Sequence, residues 1–264
     1  MASIAGAAFD TLAESYDSIF TSTIIGRSQR SVVWAKAAAV FRAGDRVLEL
    51  NCGTGEDALF LARRGVSVTA CDASYGMIEH ARARVANELP SAPIAFHALR
   101  TEQLDRLDAD ALFDGVFSNF SGLNCVEDFP QAARLISSHL KSGAQVLLCL
   151  SSRFCVWEIL YYLLRGNPRK ALRRCRGVTA AKLAQYSFPV YYPTLRSLAH
   201  ALSPEFRLLS VTGVGVTVPP SYMEDWARKN PGLMQFCETM DKVLSRWPGF
   251  RALGDHMLLH LERV

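Results

Sequence analysis

The stretch RVLELNCGTG, residues 46–55, decides the fold of this chain. Its first part, Val47 to Leu50, is mostly apolar, as expected of a strand buried in a parallel sheet. Two glycines, Gly53 and Gly55, follow, and a helical pattern then runs from Glu56 to Arg64. Glycine lets the backbone approach a ligand closely, and the N-terminus of a helix offers free N–H groups. The order of strand, glycine turn and helix therefore predicts a site for a polar, nucleotide-like molecule.

A second motif, VTACDASYGMIEHARARV, runs from Val68 to Val85, one strand later. Asp72 ends its apolar run, and a helix with apolar residues on its inner side follows. Glu49 lies within the first strand, where a plain dinucleotide-binding fold would favour an apolar residue. Together, E-x-N-x-G-T-G and D-A-S-x-x-M-I-E-x-A-R resemble the first two motifs of class I S-adenosylmethionine-dependent methyltransferases. The resemblance extends to about residue 150, with Asn51 in place of the family's usual acidic residue.

Strands and helices alternate from residue 46 to residue 150, which is the pattern of a parallel sheet with helices on both faces. The predicted strands are Arg46–Leu50, Ser67–Cys71, Ile94–Ala98, Phe113–Ser118, Gln145–Ser151, Phe206–Val218 and His256–Val264. The predicted helices are Phe9–Phe20, Ser28–Phe41, Glu56–Arg64, Tyr75–Leu89, Thr101–Leu107, Phe129–Leu140 and Pro193–Leu202. The resemblance implies an α/β, Rossmann-like, mostly parallel seven-stranded sheet in the order 3-2-1-4-5-7-6.

Two long excursions depart from a minimal fold of this kind. Residues 154–192 precede the helix before the sixth strand, and residues 219–254, helical and aromatic, separate the last two strands. We expect both to form a helical cap within one domain, whose core is residues 42–153 and 193–264.

Residues 1–41 are predicted to form lid helices. The phrase FDTLAESYD is similar to the N-terminal segment of ubiquinone and menaquinone C-methyltransferases. That resemblance implies a segment folded over the cofactor, with Tyr16 facing its methionine end. A plain packing helix is the alternative. Arg27 and Arg30, near the start of the second helix, could meet a carboxylate, but they are interpreted as exposed arginines.

The resemblance implies S-adenosyl-L-methionine as cofactor and S-adenosyl-L-homocysteine as product. Asp72 is expected to accept hydrogen bonds from both ribose hydroxyls, because a carboxylate at a strand end can serve two adjacent hydroxyls. Gly53 and Gly55 would let the backbone approach the methionine end, with Glu49 beneath the turn. Ala73 and Met77 would form the walls around the adenine, and Asn119 and Phe120 would line the channel to the acceptor. The other cofactor candidates are Asn51 in the glycine turn and Thr101 and Glu102 after the third strand.

Arg100 stands where the family commonly has an Asp that contacts the adenine amino group. The adenine contact is therefore assigned to Thr101, Glu102 or the main chain. After the fourth strand the sequence reads SNFSG and not N-P-P-Y, so it does not resemble enzymes that methylate exocyclic amines of bases or glutamine amides.

Methyl transfer from a sulfonium is an in-line displacement whose main requirement is an aligned acceptor. A general base is needed only where the acceptor must lose a proton. The catalytic candidates are Tyr192, Tyr16 and His97, and a packing or surface role is the alternative for each. The further candidate bases are His200, Tyr191 and Tyr222.

The formal net charge of +4 over 264 residues is too small to indicate nucleic acid as a partner. The seven cysteines include no C-x-x-C pair, so no metal site is expected and a reducing, cytoplasmic compartment is predicted. The N-terminal residues do not have the pattern of a secretion signal.

Residues 155–176 combine an apolar-aromatic stretch, CVWEILYYLLRG, with a run of basic residues: Arg165, Arg169, Lys170, Arg173, Arg174 and Arg176. Such a combination is typical of a segment at a membrane interface. A peripheral membrane contact is therefore one hypothesis, and a core helix beside a solvated basic face is the other. An RNA contact by the same run is disfavoured by the modest overall charge.

The leading interpretation is an S-adenosylmethionine-dependent methyltransferase that acts on a small, apolar or aromatic acceptor. Methylation of a membrane lipid or quinone at the bilayer surface is the first alternative. A nicotinamide-dependent oxidoreductase, which would share the glycine turn, and a non-catalytic S-adenosylmethionine-binding protein are the others. The acceptor, the methylated atom and the oligomeric state stay open.

Overall fold

The computed structural model describes residues 4–107 and 112–264. Its strands are β1 (Arg46–Leu50), β2 (Ser67–Asp72), β3 (Ile94–Ala98), β4 (Phe113–Ser118), β5 (Leu140–Ser151), β6 (Val178–Leu183), β7 (Tyr186–Tyr191), β8 (Phe206–Val214) and β9 (His256–Arg263). Its α-helices are α1 (Ile4–Asp10), α2 (Ile24–Val40), α3 (Glu56–Ala62), α4 (Tyr75–Glu88), α5 (Phe129–Ser138), α6 (Val156–Leu164), α7 (Pro168–Ala171), α8 (Leu195–Leu202), α9 (Glu224–Lys229) and α10 (Pro231–Leu244).

Seven of these strands form one sheet in the order β3-β2-β1-β4-β5-β9-β8. Strands β1 to β5 are parallel, and β9 is antiparallel to both of its neighbours. The predicted order 3-2-1-4-5-7-6 is therefore confirmed. β6 and β7 form a separate antiparallel hairpin.

Apolar residues cover both faces of the sheet, because successive side chains of a strand point to opposite sides. Val47 packs in a cluster with α2 and α3, whereas Leu48 and Leu50 pack in a second cluster with α5 and α8. Glu49 alternates with Leu48 and so lies on the α2 and α3 side. The two clusters hold the carboxyl ends of the parallel strands in fixed positions.

The single helix predicted for Phe9 to Phe20 is wrong. Helix α1 ends at Asp10, and after a series of turns a short π-helix covers Asp17–Thr21. Helix α2 begins at Ile24 and not at Ser28, because the side chain of Thr23 accepts a hydrogen bond from the Gly26 N–H and caps it.

The prediction of a helical cap for residues 154–192 is wrong in its second half. Helices α6 and α7 are followed by the β6–β7 hairpin, whose tight turn places Ala184 at a φ of 50°. Hairpin turns of this length usually carry Asn-Gly or Asp-Gly, so the sequence lacked the usual signal.

Three further boundaries differ from the predictions. Residues Thr101–Arg106 form a 3₁₀-helix and not an α-helix. Helix α5 ends at Ser138, and Leu140 already belongs to β5. Strand β8 ends at Val214, because Gly215 turns the chain with a φ of +66°.

Candidate functional site

A cavity of about 350 Å³ lies at the carboxyl ends of the parallel strands. That edge is where open α/β sheets bind their ligands, and the volume lies within the range of small-molecule sites. The loops after β1 to β4, the N-terminal segment and the hairpin all contribute to its lining. The predicted cofactor residues among the lining are Asn51, Gly53, Asp72, Ala73, Met77, Thr101, Glu102, Asn119 and Phe120.

Asp72 and the glycine turn are hydrogen-bonded to each other. The Gly53 N–H donates to Asp72 Oδ2 at 2.9 Å, and the Ser74 N–H donates to Oδ1 at 2.8 Å. Burial raises the pKa of Asp72, and these two donors oppose the rise. A carboxylate has about four acceptor positions, so Asp72 keeps acceptor capacity for further donors from a ligand.

Gly55 and Glu49 lie behind the cavity and not in its lining. Gly55 precedes α3 with a φ of +78°, and a Cβ at this position would lie 2.8 Å from the Cβ of Ala81. Gly55 thus allows the turn to pack on α4. Glu49 is 1% exposed, and its Oε2 has no hydrogen-bond partner among the described residues. Burial, and secondarily the charge of Asp57, raises its pKa well above the ordinary value.

Arg30 is buried and paired with a carboxylate, so its interpretation as an exposed arginine is wrong and the alternative is confirmed. Its Nη1 donates to Asp57 Oδ2 at 2.5 Å, and Asn119 Nδ2 donates to the same oxygen at 3.0 Å. The Arg30 guanidinium also lies 4.8 Å from the centroid of the Phe120 ring. This arginine therefore ties α2 and α3 to the loop after β4. Arg27 is exposed, as predicted.

Two loops meet at the cavity with left-handed backbone. Asn51, Phe120 and Ser121 have φ values of 56°, 44° and 69°. A Cβ on Gly122 would lie only 2.1 Å from the Cβ of Asn51. Non-glycine residues rarely adopt this conformation, and where they do the site is often functional. The close packing fixes the loop after β1 against the loop after β4.

The N-terminal segment lines the cavity and is attached through Asp10. Phe9 and Tyr16 of this segment belong to the cavity lining. Asp10 Oδ1 accepts hydrogen bonds from Ser74 Oγ at 2.6 Å and from the Gly76 N–H at 2.8 Å. The segment is thereby held to the start of α4, within the second of the two sequence motifs.

Asp17 makes a second attachment, to the first motif. Its Oδ1 accepts a hydrogen bond from Thr54 Oγ1 at 2.7 Å, and its Oδ2 pairs with Arg84. Next to it, burial raises the pKa of Tyr16 to about 12, although the nearby Arg30 opposes the rise. Tyr16 is therefore a neutral phenol at physiological pH.

The hairpin forms the opposite wall of the cavity. Phe188 and Val190 of β7 line it, and the Phe188 ring lies 6.0 Å from that of Phe9. Asn124 fixes the hairpin, because its Nδ2 donates to the Tyr191 carbonyl at 2.6 Å. Tyr192 lines the cavity and is 8% exposed. No sequence motif indicated a cavity role for Phe9, Phe188 and Val190, although the alternating apolar residues in YSFPVY are a strand signal.

Helix α6 is anchored by a buried charge cluster. Arg173 binds both carboxylate oxygens of Glu158, at 2.7 and 2.9 Å, and Arg174 Nε donates to Glu158 Oε2 at 3.0 Å. Arg174 Nη2 also donates to Asp255 Oδ1 at 2.8 Å. Two of the six residues in the predicted basic run are therefore paired with carboxylates and do not belong to a free basic face.

His97 is not placed to act on a ligand in this cavity. It lies in β3 opposite Cys71 and is not among the described side chains that line the cavity. Within residues 4–107 and 112–264, no group of three or more metal-ligating side chains comes together.

A protein family described as "Methyltransferase domain" matches residues 47–143. The chain is 32% identical over 143 residues to a demethylmenaquinone methyltransferase of Clavibacter sepedonicus, covering 54% of this chain and 56% of that relative. It is 30% identical over 174 residues to the demethylmenaquinone methyltransferase of Mycobacterium marinum, covering 62% of this chain and 68% of that relative. The chain thus spans little more than half of the Clavibacter relative.

Among solved structures, the fold is similar to that of an S-adenosylmethionine-dependent methyltransferase from Listeria monocytogenes. The TM-score is 0.62 at 15% sequence identity, and the match covers 88% of this chain and 96% of the other. At this level of identity the similarity concerns the fold.

Proposed function

Because this chain belongs to the S-adenosylmethionine-dependent methyltransferase family, we propose that it binds S-adenosyl-L-methionine in the cavity and methylates a small, apolar or aromatic acceptor. The observation that carries the proposal is the hydrogen-bonded pair of Gly53 and Asp72 in the wall of that cavity. This pair joins a turn whose backbone a ligand can approach closely to a carboxylate that can accept hydrogen bonds from ribose hydroxyls. S-adenosyl-L-homocysteine would be the product.

The residues present fit this cofactor. The position of a Cβ on Gly53 has no heavy atom within 4 Å, so the turn leaves space for a ligand beside the backbone. Glu49, in the strand that leads into this turn, has an Oε2 without a partner among the described residues, and this oxygen could accept a hydrogen bond. Asp72 would hold the ribose hydroxyls, and Ala73 and Met77 would wall the adenine.

When bound, S-adenosylmethionine supplies a methyl group on an electrophilic sulfonium. The protein's part is to align the acceptor with that methyl group and to exclude water. In favourable cases, alignment can lower the activation barrier by up to about 7–11 kcal/mol. The N-terminal segment and the hairpin would do both, since Phe9 and Phe188 approach each other across the cavity. Tyr16, as a neutral phenol, would donate a hydrogen bond, and Tyr192, which also lines the cavity, is the candidate base.

We further propose a quinol-like aromatic ring as the acceptor. The matched relatives are named as demethylmenaquinone methyltransferases, and the walls contributed by α1 and the hairpin are apolar and aromatic. A flat ring would fit against Phe9, Phe188 and Val190.

Calorimetry with S-adenosylhomocysteine and with NADH tests the cofactor assignment. We expect S-adenosylhomocysteine to bind, NADH not to bind, and Asp72→Asn to weaken the affinity at least about tenfold, since a charge-assisted hydrogen bond contributes about 1.5–3 kcal/mol. Asp225→Asn, an exposed acid on α9, is the matched control. Binding of NADH alone would favour an oxidoreductase. Binding of S-adenosylhomocysteine without transfer of labelled methyl groups to demethylmenaquinol would contradict the proposed acceptor.

A peripheral membrane contact through α6 and α7 is the second proposal, and one observation favours it. Leu160, Leu163 and Leu164 of α6 are 50%, 46% and 88% exposed. Arg165 and Lys170 lie over neighbouring tyrosine rings beside them. Exposed leucines beside cations suit an anionic bilayer surface. None of the helices in the described part of the chain is long and apolar enough to cross a membrane.

Flotation with phosphatidylglycerol vesicles and with phosphatidylcholine vesicles tests this contact. We expect binding to the anionic vesicles only, lost when the three α6 leucines are changed to glutamine. The matched control changes Leu233 and Phe236, exposed apolar residues of α10, to glutamine. Equal flotation of both variants, or none of the wild-type protein at low salt, would refute the contact.

A further inference from the structure

Arg100 occupies a distinctive place in the cavity. It follows the end of β3 by two residues, directly before the 3₁₀-helix Thr101–Arg106, and it lines the cavity together with Thr101 and Glu102. Its side chain makes no ion pair or hydrogen bond with any of the described residues, and its Nε is buried without an acceptor. A buried donor without a partner destabilises a protein, so an acceptor supplied by a ligand would relieve that cost.

The order of the strands determines which part of a nucleoside would reach Arg100. Strand β2 lies between β1 and β3, and adjacent strands are about 4.8 Å apart. Gly53 follows β1, Asp72 ends β2, and Arg100 follows β3, so the three line the cavity in that order. If Asp72 holds the ribose and the 5′ substituent lies at Gly53, the base extends toward Arg100.

The chemistry of the guanidinium limits what it can contact on adenine. Arginine has five N–H donors and no acceptor, so it cannot accept a hydrogen bond from the exocyclic amine. It can donate to a ring nitrogen. Glu102, two residues later, has the carboxylate acceptor that the amine requires. The ring nitrogens that flank the amine are N1 and N7, whereas N3 lies on the sugar side of the base.

We propose that Arg100 reads the adenine by donating a hydrogen bond to N1 or N7, while Glu102 accepts from the exocyclic amine. The inference rests on the proposed binding of S-adenosylmethionine. It makes Arg100 a specificity-determining residue of the cofactor site, in a role that a carboxylate at this position could not fill.

A cycle of ligand and protein changes tests the pairing. Calorimetry would compare S-adenosylhomocysteine with its 1-deaza, 3-deaza and 7-deaza analogues, on the wild-type protein and on Arg100→Met. On the wild type, we expect one of the 1-deaza and 7-deaza analogues to bind about 10- to 100-fold more weakly, and the 3-deaza analogue to bind like the parent. Arg100→Met should bind S-adenosylhomocysteine as weakly as the wild type binds that analogue. Arg100→Met should bind the analogue no more weakly than it binds S-adenosylhomocysteine.

Two more variants serve as controls. Arg106→Met changes an exposed arginine of the same 3₁₀-helix and should bind every ligand like the wild type. Arg100→Lys keeps a donor and should retain an intermediate affinity for the parent.

The pairing would be overturned by an Arg100→Met variant that binds S-adenosylhomocysteine like the wild type, or by equal deaza penalties in both proteins. Should Arg100→Met fail to fold, the wild-type series still decides, since undiminished binding of both the 1-deaza and 7-deaza analogues would refute the contact. Failure of the wild type to bind S-adenosylhomocysteine at all would instead refute the proposed function.

Discussion

Replacing Arg174 with methionine would remove the cation at the centre of the buried cluster on α6. Arg174 binds Asp255 at 2.8 Å and Glu158 at 3.0 Å, with side-chain exposures of 9%, 8% and 1% for the three residues. Glu158 would keep Arg173, but Asp255 would lose its closest arginine. Removing one partner of a buried pair typically costs about 3–5 kcal/mol, because the other charge stays buried. We expect the free energy of unfolding at pH 7.5 to fall by that amount.

The difference in free energy of unfolding between the wild type and Arg174→Met should shrink as the pH falls. In the wild type, burial alone would raise the pKa of Asp255, but His256 and Arg174 outweigh it and hold the pKa below its ordinary value. This carboxylate therefore stabilises the wild type above its unfolded pKa of about 3.9, and the contribution is lost as the pH falls through the folded pKa.

Without Arg174 that contribution becomes smaller. The folded pKa of Asp255 would rise, because one of the two charges that lower it is lost, and the pKa of His256, which burial and the Arg174 charge both lower, would also rise. The folded variant would then take up protons at a higher pH than the folded wild type does. For each unit by which the folded pKa of Asp255 rises, the variant regains up to about 1.4 kcal/mol of its lost free energy of unfolding at the lower pH.

Urea denaturation followed by circular dichroism at pH 7.5 and pH 5.5 measures both effects. Arg63→Met is the matched control, because its ion pair with Glu88 is exposed, at 52% and 44%, and such pairs contribute about 0–1 kcal/mol. A deficit for Arg174→Met below that of the control at pH 7.5, or one that grows on acidification, would refute the reasoning.

Gly122→Ala should lower both the melting temperature and the affinity for S-adenosylhomocysteine, because the new Cβ would lie 2.1 Å from that of Asn51. The control Gly232→Ala, in α10 with no atom within 4 Å of the new Cβ, should raise the stability by up to about 1 kcal/mol, and equal effects would contradict the packing argument. Since the pKa of Tyr16 is about 12, the pH profile of methyl transfer should keep its shape in Tyr16→Phe, and a limb lost in this variant would show that Tyr16 ionises. Asp17→Asn should speed amide hydrogen exchange in residues 4–23 but not in β1, and unchanged exchange would show that this carboxylate does not hold the segment.

The sequence predicted the sheet well because its signals are local. Apolar runs located the central strands to within a residue or two at most ends, and the glycine turn and Asp72 occur next to the strands that position them. The cavity lining includes both Gly53 and Asp72, whose contact follows from the adjacency of β1 and β2.

The features that the sequence did not predict depend on contacts between distant residues. Arg30 is buried because Asp57 meets it across two helices, 27 residues away, and no local pattern marks such a pair. Arg174 meets Asp255 across 81 residues. The hairpin escaped prediction because its turn begins with Ala184 and because Pro189, unusual in a strand, is tolerated where both strands are edges.

The hairpin is separate from the main sheet. Asn124 donates to its Tyr191 carbonyl and Phe9 packs against its Phe188, while Ala181, Phe188 and Val190 line the cavity. Mutations at these three positions would therefore change the walls proposed to meet the acceptor and leave the Gly53–Asp72 pair intact. In such an architecture, new acceptor preferences could arise by drift in one short ribbon while the proposed cofactor site is inherited unchanged.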